Sequence, residues 1–432
     1  MRRGAIRVGI TLKRPRARPV EDPFLPAERS AEPLPWRAIL SGASASLLGI
    51  GLARFAYTPL LPAVVAAGWF GAAAATYLAA ANLAGYLVGV LLAEPFSARG
   101  SPRTALRAMM AICTLSLFAC ALPGPFAWFF GWRLVSGVCG GVIMILAAPL
   151  ILAHVPAARR GWTSGLIFMG VGLGIAASGT LIPLLLRQGL TQAWAGLGTL
   201  GAILTIIAWD GWPAPPPEPI ALASVRPRVR RGFQAAVKLW LLCAEYGLNA
   251  VGLVPHMIFL SVFVARGLGR GVDAGAYYWA IFGVGAVAGP PLAGLAADRV
   301  GYRAALRLAL LLEAAATLAP ALTRGPFLLI LSSLIMGAAT PGIVPLVLGR
   351  LHELAGPAVS ARKVAWRMAT TAFATAQALA AYAMAYLLQS SGGQYAWLFM
   401  AGAAALILAL LIDMMGELAA GPPCDRRRAP RA

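Results

Sequence analysis

Long apolar stretches separated by short polar connectors follow one another along most of the chain. The first runs from about Ala38 to Ala67, and about 20 apolar residues are enough to cross the core of a bilayer. The repeated pattern predicts an all-α integral membrane protein with twelve transmembrane helices in two six-helix bundles. The better defined later helices are expected at about 74–93, 104–122, 126–155, 162–186, 194–209, 235–265, 276–297 and 364–388.

The composition agrees with this pattern. Hydrophobic residues make up 59% of the chain and charged residues 12%, and the mean hydropathy is +0.76. Such a chain belongs to the membrane class and not to the soluble globular one. The five cysteines show no Cys-x-x-Cys spacing, and all but Cys424 lie in apolar runs. We therefore expect no disulfide, no metal site and no cofactor.

The net charge is +21, and the basic residues that produce it are distributed unevenly along the chain. Thirty of the 36 Lys and Arg residues lie in the two tails and in alternate connectors, whereas Arg54 and Arg133 lie inside predicted helices. This is the positive-inside pattern, and it places both termini in the cytoplasm. The charge orients the chain in the membrane, so we expect no binding of nucleic acid.

Two segments recur in both parts of the chain and indicate an internal repeat. Pro-Ala-Ala-Arg-Arg-Gly-Trp, ending at Trp162, corresponds to Pro-Ala-Val-Ser-Ala-Arg-Lys-Val-Ala-Trp, ending at Trp366. Thr-Ala-Leu-Arg107 likewise corresponds to Ala-Ala-Leu-Arg307. Parallel repeats of six helices are typical of secondary transporters.

The repeat suggests a division of the chain into two bundles with polar segments around them. The bundles are residues 37–210 and 235–416, and a Pro- and Arg-rich cytoplasmic linker, 211–234, joins them. A basic tail, 417–432, follows. Residues 1–36 lack the apolar core of a secretory signal. They are either a disordered basic tail or the product of a start chosen too far upstream.

Arg54 is the first candidate for a functional residue. It lies in the middle of the first apolar run, where a charge is costly and should face protein or a water-filled cavity. Tyr57 and Thr58 are expected on its face and extend the polar stripe. Pro59 and Pro62 predict a bend or local unwinding near the outer end of the helix. The alternative is that Arg54 only ties two helices together.

The seventh helix carries Glu245, Asn249 and His256 on or near one face. Glu245 is the first choice for a proton-coupling residue and His256 the second, because such a residue must gain and lose a proton. Glu245 is also a candidate partner for Arg54 in one conformational state. A static hydrogen bond between helices is the alternative for both Glu245 and His256. Glu313 on the ninth helix is expected to pack on the bundle exterior.

Other polar residues inside predicted helices complete the candidate pathway. Asn82 shares a face with Gly85 and Gly89, so it points at a partner helix or at the cavity. Arg133 lies roughly 10 Å from the outer end of the fourth helix, where it either snorkels to the interface or lines the cavity. Gln377 lies on the eleventh helix.

After the eighth helix the sequence reads Gly-Leu-Ala-Ala-Asp-Arg-Val-Gly-Tyr-Arg, from Gly294 to Arg303. It resembles the Gly-x-x-x-Asp-Arg-x-Gly-x-Arg signature of the major facilitator superfamily. The resemblance implies that Asp298 and Arg299 make charge contacts between cytoplasmic helix ends and hold an outward-facing state. The other motif positions are Gly294, Gly301 and Arg303. The first half departs from the motif, with Glu94 before a proline and no Asp-Arg pair.

Three further segments resemble the YbfB/YjiJ branch of that superfamily. They are Arg-Phe-Ala-Tyr-Thr-Pro-Leu-Leu-Pro from Arg54, Asn-Leu-Ala-Gly-Tyr from Asn82, and Glu-Tyr-Gly-Leu-Asn from Glu245. The resemblance covers the chain between its two tails.

We therefore expect a secondary active transporter that moves a small anionic or zwitterionic solute across the inner (cytoplasmic) membrane by alternating access, coupled to protons. It would act as a monomer among membrane lipids. The sequence has no His-Glu-x-x-His, Gly-x-Ser-x-Gly or Walker motif, so we do not expect an enzyme or an ATP-driven pump. A lipid flippase and a multidrug or metabolite efflux carrier are alternatives on the same scaffold. A non-transporting sensor is disfavoured by the short tails.

Overall fold

A computed structural model describes residues 34–215, 233–356 and 358–418. The predicted N-terminal tail up to residue 33, the linker from 216 to 232, and the C-terminal tail from 419 lie outside these ranges. The described residues from Pro35 onward form one compact unit.

Within the described residues the chain forms twelve long helical segments. They are α1 (36–66), α2 (Ala72–Ala98), α3 (Pro102–Ala119), α4 (Phe126–Leu152), α5 (Arg160–Leu186), α6 (Leu190–Ala208), α7 (233–267), α8 (Val272–Val300), α9 (Tyr302–Leu322), α10 (Pro326–Ala355), α11 (Val359–Ser390) and α12 (Ala396–Leu418). We call α1–α6 the first half and α7–α12 the second half.

Eleven helices within the described ranges are long and apolar enough to cross a membrane. The exception is α3, which has 18 residues and carries Arg103 and Arg107 in its first turns. Arginine side chains are costly in hydrocarbon, so they lower the hydropathy of a helix as short as this one. The predicted all-α membrane fold is confirmed, whereas a twelfth crossing and cytoplasmic termini stay predictions.

The first helix of each half contains π-helical turns, in which each backbone hydrogen bond spans one residue more than in an α-helix. In α1 the π segment is Leu47–Phe55. In α7 the π segments are Pro255–Phe259 and Phe263–Gly267. Such turns are frequent at functional sites. The helices with π segments, α1 and α7, therefore occupy equivalent positions in the two halves.

The π segment of α1 ends four residues before Pro59. A proline ring crowds the carbonyl four residues earlier, here that of Phe55, and gives it no N–H. A wider turn ending at Phe55 accommodates both effects. The predicted bend or local unwinding near the outer end corresponds to this π segment further upstream, and Pro59 itself lies inside the regular helix Tyr57–Ala66.

Glycines bring α2 against α4, and α8 against α10, at matching positions. A Cβ atom at Gly85 would meet the carbonyl oxygen of Leu134 at 2.0 Å, and one at Gly285 would meet that of Leu334 at 2.1 Å. One turn along α2, Gly89 makes the same kind of contact. Backbone contact without intervening side chains is how membrane helices pack most closely. The close packing predicted at Gly85 and Gly89 is confirmed, and the second half repeats it.

The two halves meet mainly through α5 and α8, which pack along most of their length. Here too glycine removes the side chain between backbones. A Cβ atom at Gly172 would meet the carbonyl oxygen of Ala286 at 1.9 Å, and one at Gly165 would meet that of Pro290 at 2.3 Å. Smaller contacts join α5 to α10 and α2 to α11.

We predict that Gly137→Ala destabilises the first half. A Cβ atom there would lie 2.1 Å from the carbonyl oxygen of Asn82, so α2 and α4 must move apart. Overpacking of this kind costs about 1–3 kcal/mol of unfolding free energy. The measurement is the thermal unfolding midpoint of the purified protein in detergent.

The matched control is Gly131→Ala on the same helix, where no atom lies within 4 Å of the added carbon. It should be neutral or slightly stabilising, since alanine favours helix more than glycine does. Equal midpoints for the two variants would contradict the close-packing interpretation.

Candidate functional site

A cavity lies between the two halves. Helices α1, α2, α4, α5, α7, α10 and α11 all contribute to its wall. Much of the lining is aromatic, and a few polar side chains interrupt it. The residues that matter for its chemistry are Phe55, Tyr86, Phe168, Tyr246, Phe373, Arg54, Gln377 and Thr340.

Arg54 supplies the positive charge of this cavity. Its guanidinium donates a hydrogen bond to the side-chain oxygen of Gln377, which joins the first half to the second. The guanidinium carbon also lies 5.3 Å from the ring centre of Phe55 and 5.7 Å from that of Tyr86. Among the described residues no carboxylate lies within ion-pairing distance of Arg54. Its charge is therefore met by a neutral amide and by aromatic faces.

The sequence predicted Arg54 and Gln377 as separate pathway residues, and the structure brings them together. Gln377 is buried, and its nitrogen lies 3.5 Å from the sulfur of Met257 on α7. Its amide oxygen faces a cation of the other half, so one hydrogen bond crosses the cavity. The partner of Arg54 in this structure is thus Gln377 and not Glu245.

Tyr57 and Thr58 do not share the cavity with Arg54. Tyr57 is buried in the first half and donates a hydrogen bond from its hydroxyl to the carbonyl oxygen of Ala75, at 2.8 Å. Thr58 is exposed. The predicted polar stripe assumed a regular α-helix from residue 54 onward. The π turns that end at Phe55 change the angle between residues and break that stripe.

Arg133 is buried, with only 2% of its surface exposed. It neither snorkels nor lines the cavity. Its guanidinium donates to the carbonyl oxygen of Ala53 at 2.6 Å and to that of Leu78 at 3.4 Å. Its centre also lies 4.4 Å from the ring centre of Tyr57. Because Ala53 immediately precedes Arg54, Arg133 ties the π segment that carries Arg54 to α2 and α4.

Asn82 points at a partner helix, which was one of its two predicted orientations. Its side-chain nitrogen donates to the hydroxyl of Ser136 at 2.9 Å and to the carbonyl oxygen of Arg133 at 3.3 Å. Asn82 therefore joins α2 to α4 next to the buried arginine, and it supports the same arrangement from the other side.

The end of the bundle that carries the connectors α2–α3, α4–α5, α8–α9 and α10–α11 is called the basic end below. Glu245 lies toward this end in the second half, in a separate cavity. It is 3% exposed. Lys238, Arg303, Arg350 and Asp413 line the same cavity. Glu245 therefore has cationic neighbours of its own.

The prediction that Glu313 packs on the bundle exterior is wrong. Glu313 is fully buried, and its side-chain oxygen accepts a hydrogen bond from Asn249 on α7. The buried residues of α9 include Leu306, Leu310, Glu313 and Thr317, at spacings of four, three and four. That helical spacing was visible in the sequence and could have identified Glu313 as part of the core-facing stripe.

His256 lies inside the second half and not in the cavity. Its Nε2 atom is 2.7 Å from the hydroxyl of Ser332, and that hydroxyl donates to the carbonyl oxygen of Ala316 at 2.6 Å. The hydroxyl has one proton, so it accepts from Nε2–H. The imidazole ring packs edge-on against Phe399, with ring centres 5.4 Å apart. His256 is therefore held between α7 and α10 by this hydrogen bond and by the ring contact.

The motif residues join the halves at the basic end. The carboxylate of Asp298 accepts hydrogen bonds from the backbone N–H groups of Gly161, at 3.0 Å, and Trp162, at 2.7 Å. These groups open α5, where unpaired N–H groups and the helix dipole favour an anion. Gly301 has a φ of +85°, a conformation that favours glycine, and it turns the chain into α9.

The remaining motif positions have different surroundings. A Cβ atom at Gly294 would meet the carbonyl oxygen of Gly161 at 2.1 Å, so glycine is needed for the α5–α8 contact. Arg303 binds Asp413 of α12 at 3.3 Å within the second half. Arg299 is exposed.

The first half reaches the second at the basic end by other means. Glu94 of α2 forms a salt bridge with Arg367 of α11. The indole nitrogen of Trp366 donates to the carbonyl oxygen of Met144 at 3.1 Å. Both contacts cross between halves, although Glu94 does not belong to an Asp-Arg motif. The contacts that close this end therefore differ in kind: Asp298 binds backbone N–H groups of the first half, whereas Glu94 pairs with the side chain of Arg367.

A family model described as "Uncharacterised MFS-type transporter YbfB" matches residues 46–414. The chain belongs to this family of the major facilitator superfamily. Membership makes it a multi-pass membrane transporter and not an enzyme, as the sequence motifs predicted.

Two curated proteins are similar to this family member over most of their length. The "Uncharacterized 38 kDa protein in 23S RNA operon" of Thermoproteus tenax is 27% identical over 347 residues, which cover 78% of this chain and 86% of that protein. The "Inner membrane transport protein YdhP" of Escherichia coli (strain K12) is 26% identical over 378 residues, covering 85% of this chain and 92% of YdhP.

Solved structures of major facilitator proteins have the same fold. The human organic anion transporter MFSD10 (TETRAN) is similar with a TM-score of 0.71 at 17% identity, covering 88% of this chain and 100% of that one. The proton:xylose symporter XylE, bound to 6-bromo-6-deoxy-D-glucose, has a TM-score of 0.69 at 16% identity, covering 88% and 95%. At these identities the likeness concerns the fold alone.

We predict that Arg133→Met lowers the unfolding free energy of this transporter by about 1–3 kcal/mol, because two buried carbonyl oxygens lose their donor. Arg133→Lys should lose less, since an ammonium group can still donate to Ala53. Thermal unfolding in detergent measures both. If the methionine variant is as stable as the wild type, the hydrogen bonds of Arg133 only offset the cost of burying it.

Proposed function

We propose that the protein is a secondary active transporter that carries a small organic anion across the membrane by alternating access. The observation that supports this most directly is Arg54, a cation in the cavity between the halves with no carboxylate partner among the described residues. A charge inside a membrane protein usually marks a substrate or ion pathway. An anionic group of the substrate would replace Gln377 as the main partner of Arg54.

The aromatic wall of the cavity narrows the class of substrate. Phe55, Tyr86, Tyr246 and Phe373 present ring surfaces near the single cation, and Tyr246 lies against Phe373 with ring centres 4.5 Å apart. Such a lining favours a compact apolar body with one anionic head over a polyanion or a sugar. A zwitterion would need a second partner, such as the side-chain oxygens of Gln377 and Thr340. The similar human protein MFSD10 is itself an organic anion transporter.

The contacts at the basic end support the transport mechanism. Asp298 against α5, and Glu94 against Arg367, hold the halves together at that end. We infer that this is one of two alternating states, in which the basic end is closed. The excess of basic residues in its connectors supports a cytoplasmic location for this end. Twelve crossings with both termini inside are part of the proposal. The inner membrane is the proposed location, because the relative YdhP is an inner membrane transport protein.

We also propose that transport is coupled to protons and that the protein acts as a monomer. Glu245 and His256 stay the predicted coupling residues from the seventh helix, and neither lines the cavity that holds Arg54. Protons would therefore act through the position of α7 and not by direct contact with substrate. The similar protein XylE is a proton:xylose symporter.

A lipid flippase or an amphiphile exporter is the second candidate, since the lining is more aromatic than polar. A lipid-scrambling assay in liposomes separates this activity from transport of a soluble anion. Movement of labelled phospholipid by the purified protein, without uptake of any soluble anion, would favour the flippase.

We predict that a small aromatic or branched carboxylate raises the thermal unfolding midpoint of the wild-type protein, and that its uncharged amide does not. Gln377→Glu sets a carboxylate against Arg54 and should weaken binding at least about tenfold, since a hydrogen bond to a charged group contributes about 1.5–3 kcal/mol. Arg54→Gln should have a similar effect. A thermal-shift screen followed by titration measures these affinities.

The control is Thr58→Ala, an exposed position on the same helix, which should bind as the wild type does. If both Gln377→Glu and Arg54→Gln keep full affinity for the anion, the cavity between the halves is not the binding site.

We predict that Asp298→Asn together with Glu94→Gln opens the basic end more often. The changes weaken two charge-dependent contacts between halves, and each 1.4 kcal/mol lost raises the open population about tenfold. Spin labels can be attached at Ala98 of α2 and Ser360 of α11, which are both exposed. Double electron–electron resonance between them should show a larger fraction of long distances.

The matched control for this experiment is Glu353→Gln. It removes an exposed acidic group that pairs with Arg350 within α10 and, among the described residues, forms no ion pair between halves. An identical distance distribution in the double variant and in the wild type would show that these contacts do not hold the closed state.

A further inference from the structure

Glu313 is an acidic side chain sealed inside the second half. None of its surface is exposed. One carboxyl oxygen, Oε2, accepts a hydrogen bond from the side-chain nitrogen of Asn249, and the other, Oε1, has no hydrogen-bond partner among the described residues. The oxygen of the Asn249 amide is also buried without a partner. The pair lies between α9 and α7, outside the cavity that holds Arg54.

No cation compensates Glu313 within ion-pairing distance in the described part of the chain. Of the titratable groups on α7, α8, α10 and α12, which pack against α9, Lys238 lines the cavity at the basic end and Arg299 is exposed. His256 binds Ser332, and Asp298 binds the start of α5. Asp413 binds Arg303 and Arg307, and Arg350 binds Glu353. Glu245 lies in the cavity at the basic end, and Tyr246 is a phenol.

The two buried glutamates of this half are therefore not equivalent. Glu245 shares its cavity with Lys238, Arg303 and Arg350. Glu313 has the neutral side-chain amide of Asn249 as its hydrogen-bond partner. Burying an ionised carboxylate without a counter-charge is so unfavourable that the group takes up a proton instead. The burial of Glu313 without a counter-charge therefore favours its neutral, protonated form.

We propose that Glu313 and Asn249 form a proton-binding site that is occupied in this state, and that its release of the proton is coupled to movement of α7. The proton resides on Oε1, the oxygen that receives no hydrogen bond. On release the O–H bond of the carboxyl breaks, its electron pair stays on the carboxylate, and a water molecule accepts the proton. The coupling part of this inference rests on the transport function proposed above.

Helix α7 connects this site to the substrate cavity. Tyr246 and Met257 of α7 line the cavity, and Asn249 is three residues after Tyr246, one turn along the helix. Further along α7 lies the π segment Pro255–Phe259, where helix geometry can change locally. A shift of α7 that follows substrate binding would separate Asn249 from Glu313 and admit water to the acid.

Infrared spectroscopy of the protein in lipid nanodiscs tests the proton site without requiring a substrate. A protonated carboxyl group has a C=O stretching band that a carboxylate lacks. At neutral pH, the spectrum of the wild type minus that of Glu313→Gln should contain this band, and the band should shift in heavy water as the proton exchanges. The same difference for Glu94→Gln, an exposed ion-paired acid, should contain none.

Asn249→Ala provides a second variant that keeps the acid. Loss of its hydrogen bond should move the carboxyl band to higher frequency, which would support the proposal even if Glu313→Gln failed to fold. A wild-type spectrum identical to that of Glu313→Gln in this region, or a band that does not shift in heavy water, would overturn the proton site.

Proteoliposome transport of the anion found by the thermal-shift screen tests the coupling. Glu313→Gln should retain exchange of labelled for unlabelled anion but lose acceleration by a pH gradient. If the variant still responds to the gradient as the wild type does, or if the wild type transports without any response, coupling through Glu313 is refuted. Absence of any transport by the wild type, with the infrared band present, would refute the transport function and leave the proton site standing.

Discussion

The hydrogen bond from Arg133 to the backbone carbonyl of Ala53 supports the geometry of the whole candidate site. It comes from the interior of the first half and reaches the π segment next to Arg54. The membrane supplies no water there, so a buried guanidinium must find its acceptors within the protein. The carbonyls of α1 and α2 serve this purpose. Arg54, one residue further along, projects into the cavity between the halves.

The two halves share a scaffold and differ in the charges that they bury. Glycine contacts between α2 and α4 recur between α8 and α10 at matching positions. The first half places cations inside the bundle, Arg133 buried and Arg54 partly buried, whereas the second buries acids, Glu245 and Glu313. None of the four forms a salt bridge across the halves in the described structure. An anion bound by Arg54 and a proton bound by Glu313 would therefore occupy different halves, linked by Gln377 and α7.

Closure of the basic end depends on contacts of unequal strength. Asp298 accepts two backbone N–H groups at the start of α5, where the helix dipole adds to the attraction. Glu94 and Arg367 form a partly exposed ion pair, and such pairs contribute only about 0–1 kcal/mol. A transporter must open this end in each cycle, so weak and exposed contacts beside one stronger contact suit that requirement.

The sequence alone determined the all-α membrane fold, because hydropathy and helical length depend on composition and not on partners. Repeated segments and the Gly294–Arg303 motif also identified the superfamily without a structure. Tertiary structure decided which side chains meet. Arg54 finds Gln377 and Tyr57 turns away because π turns interrupt the α-helical period that sequence reasoning assumes. Glu313 is buried because it belongs to the core-facing stripe of α9 and meets Asn249 of α7. Hydropathy records how apolar a helix is, not which neighbour covers each face.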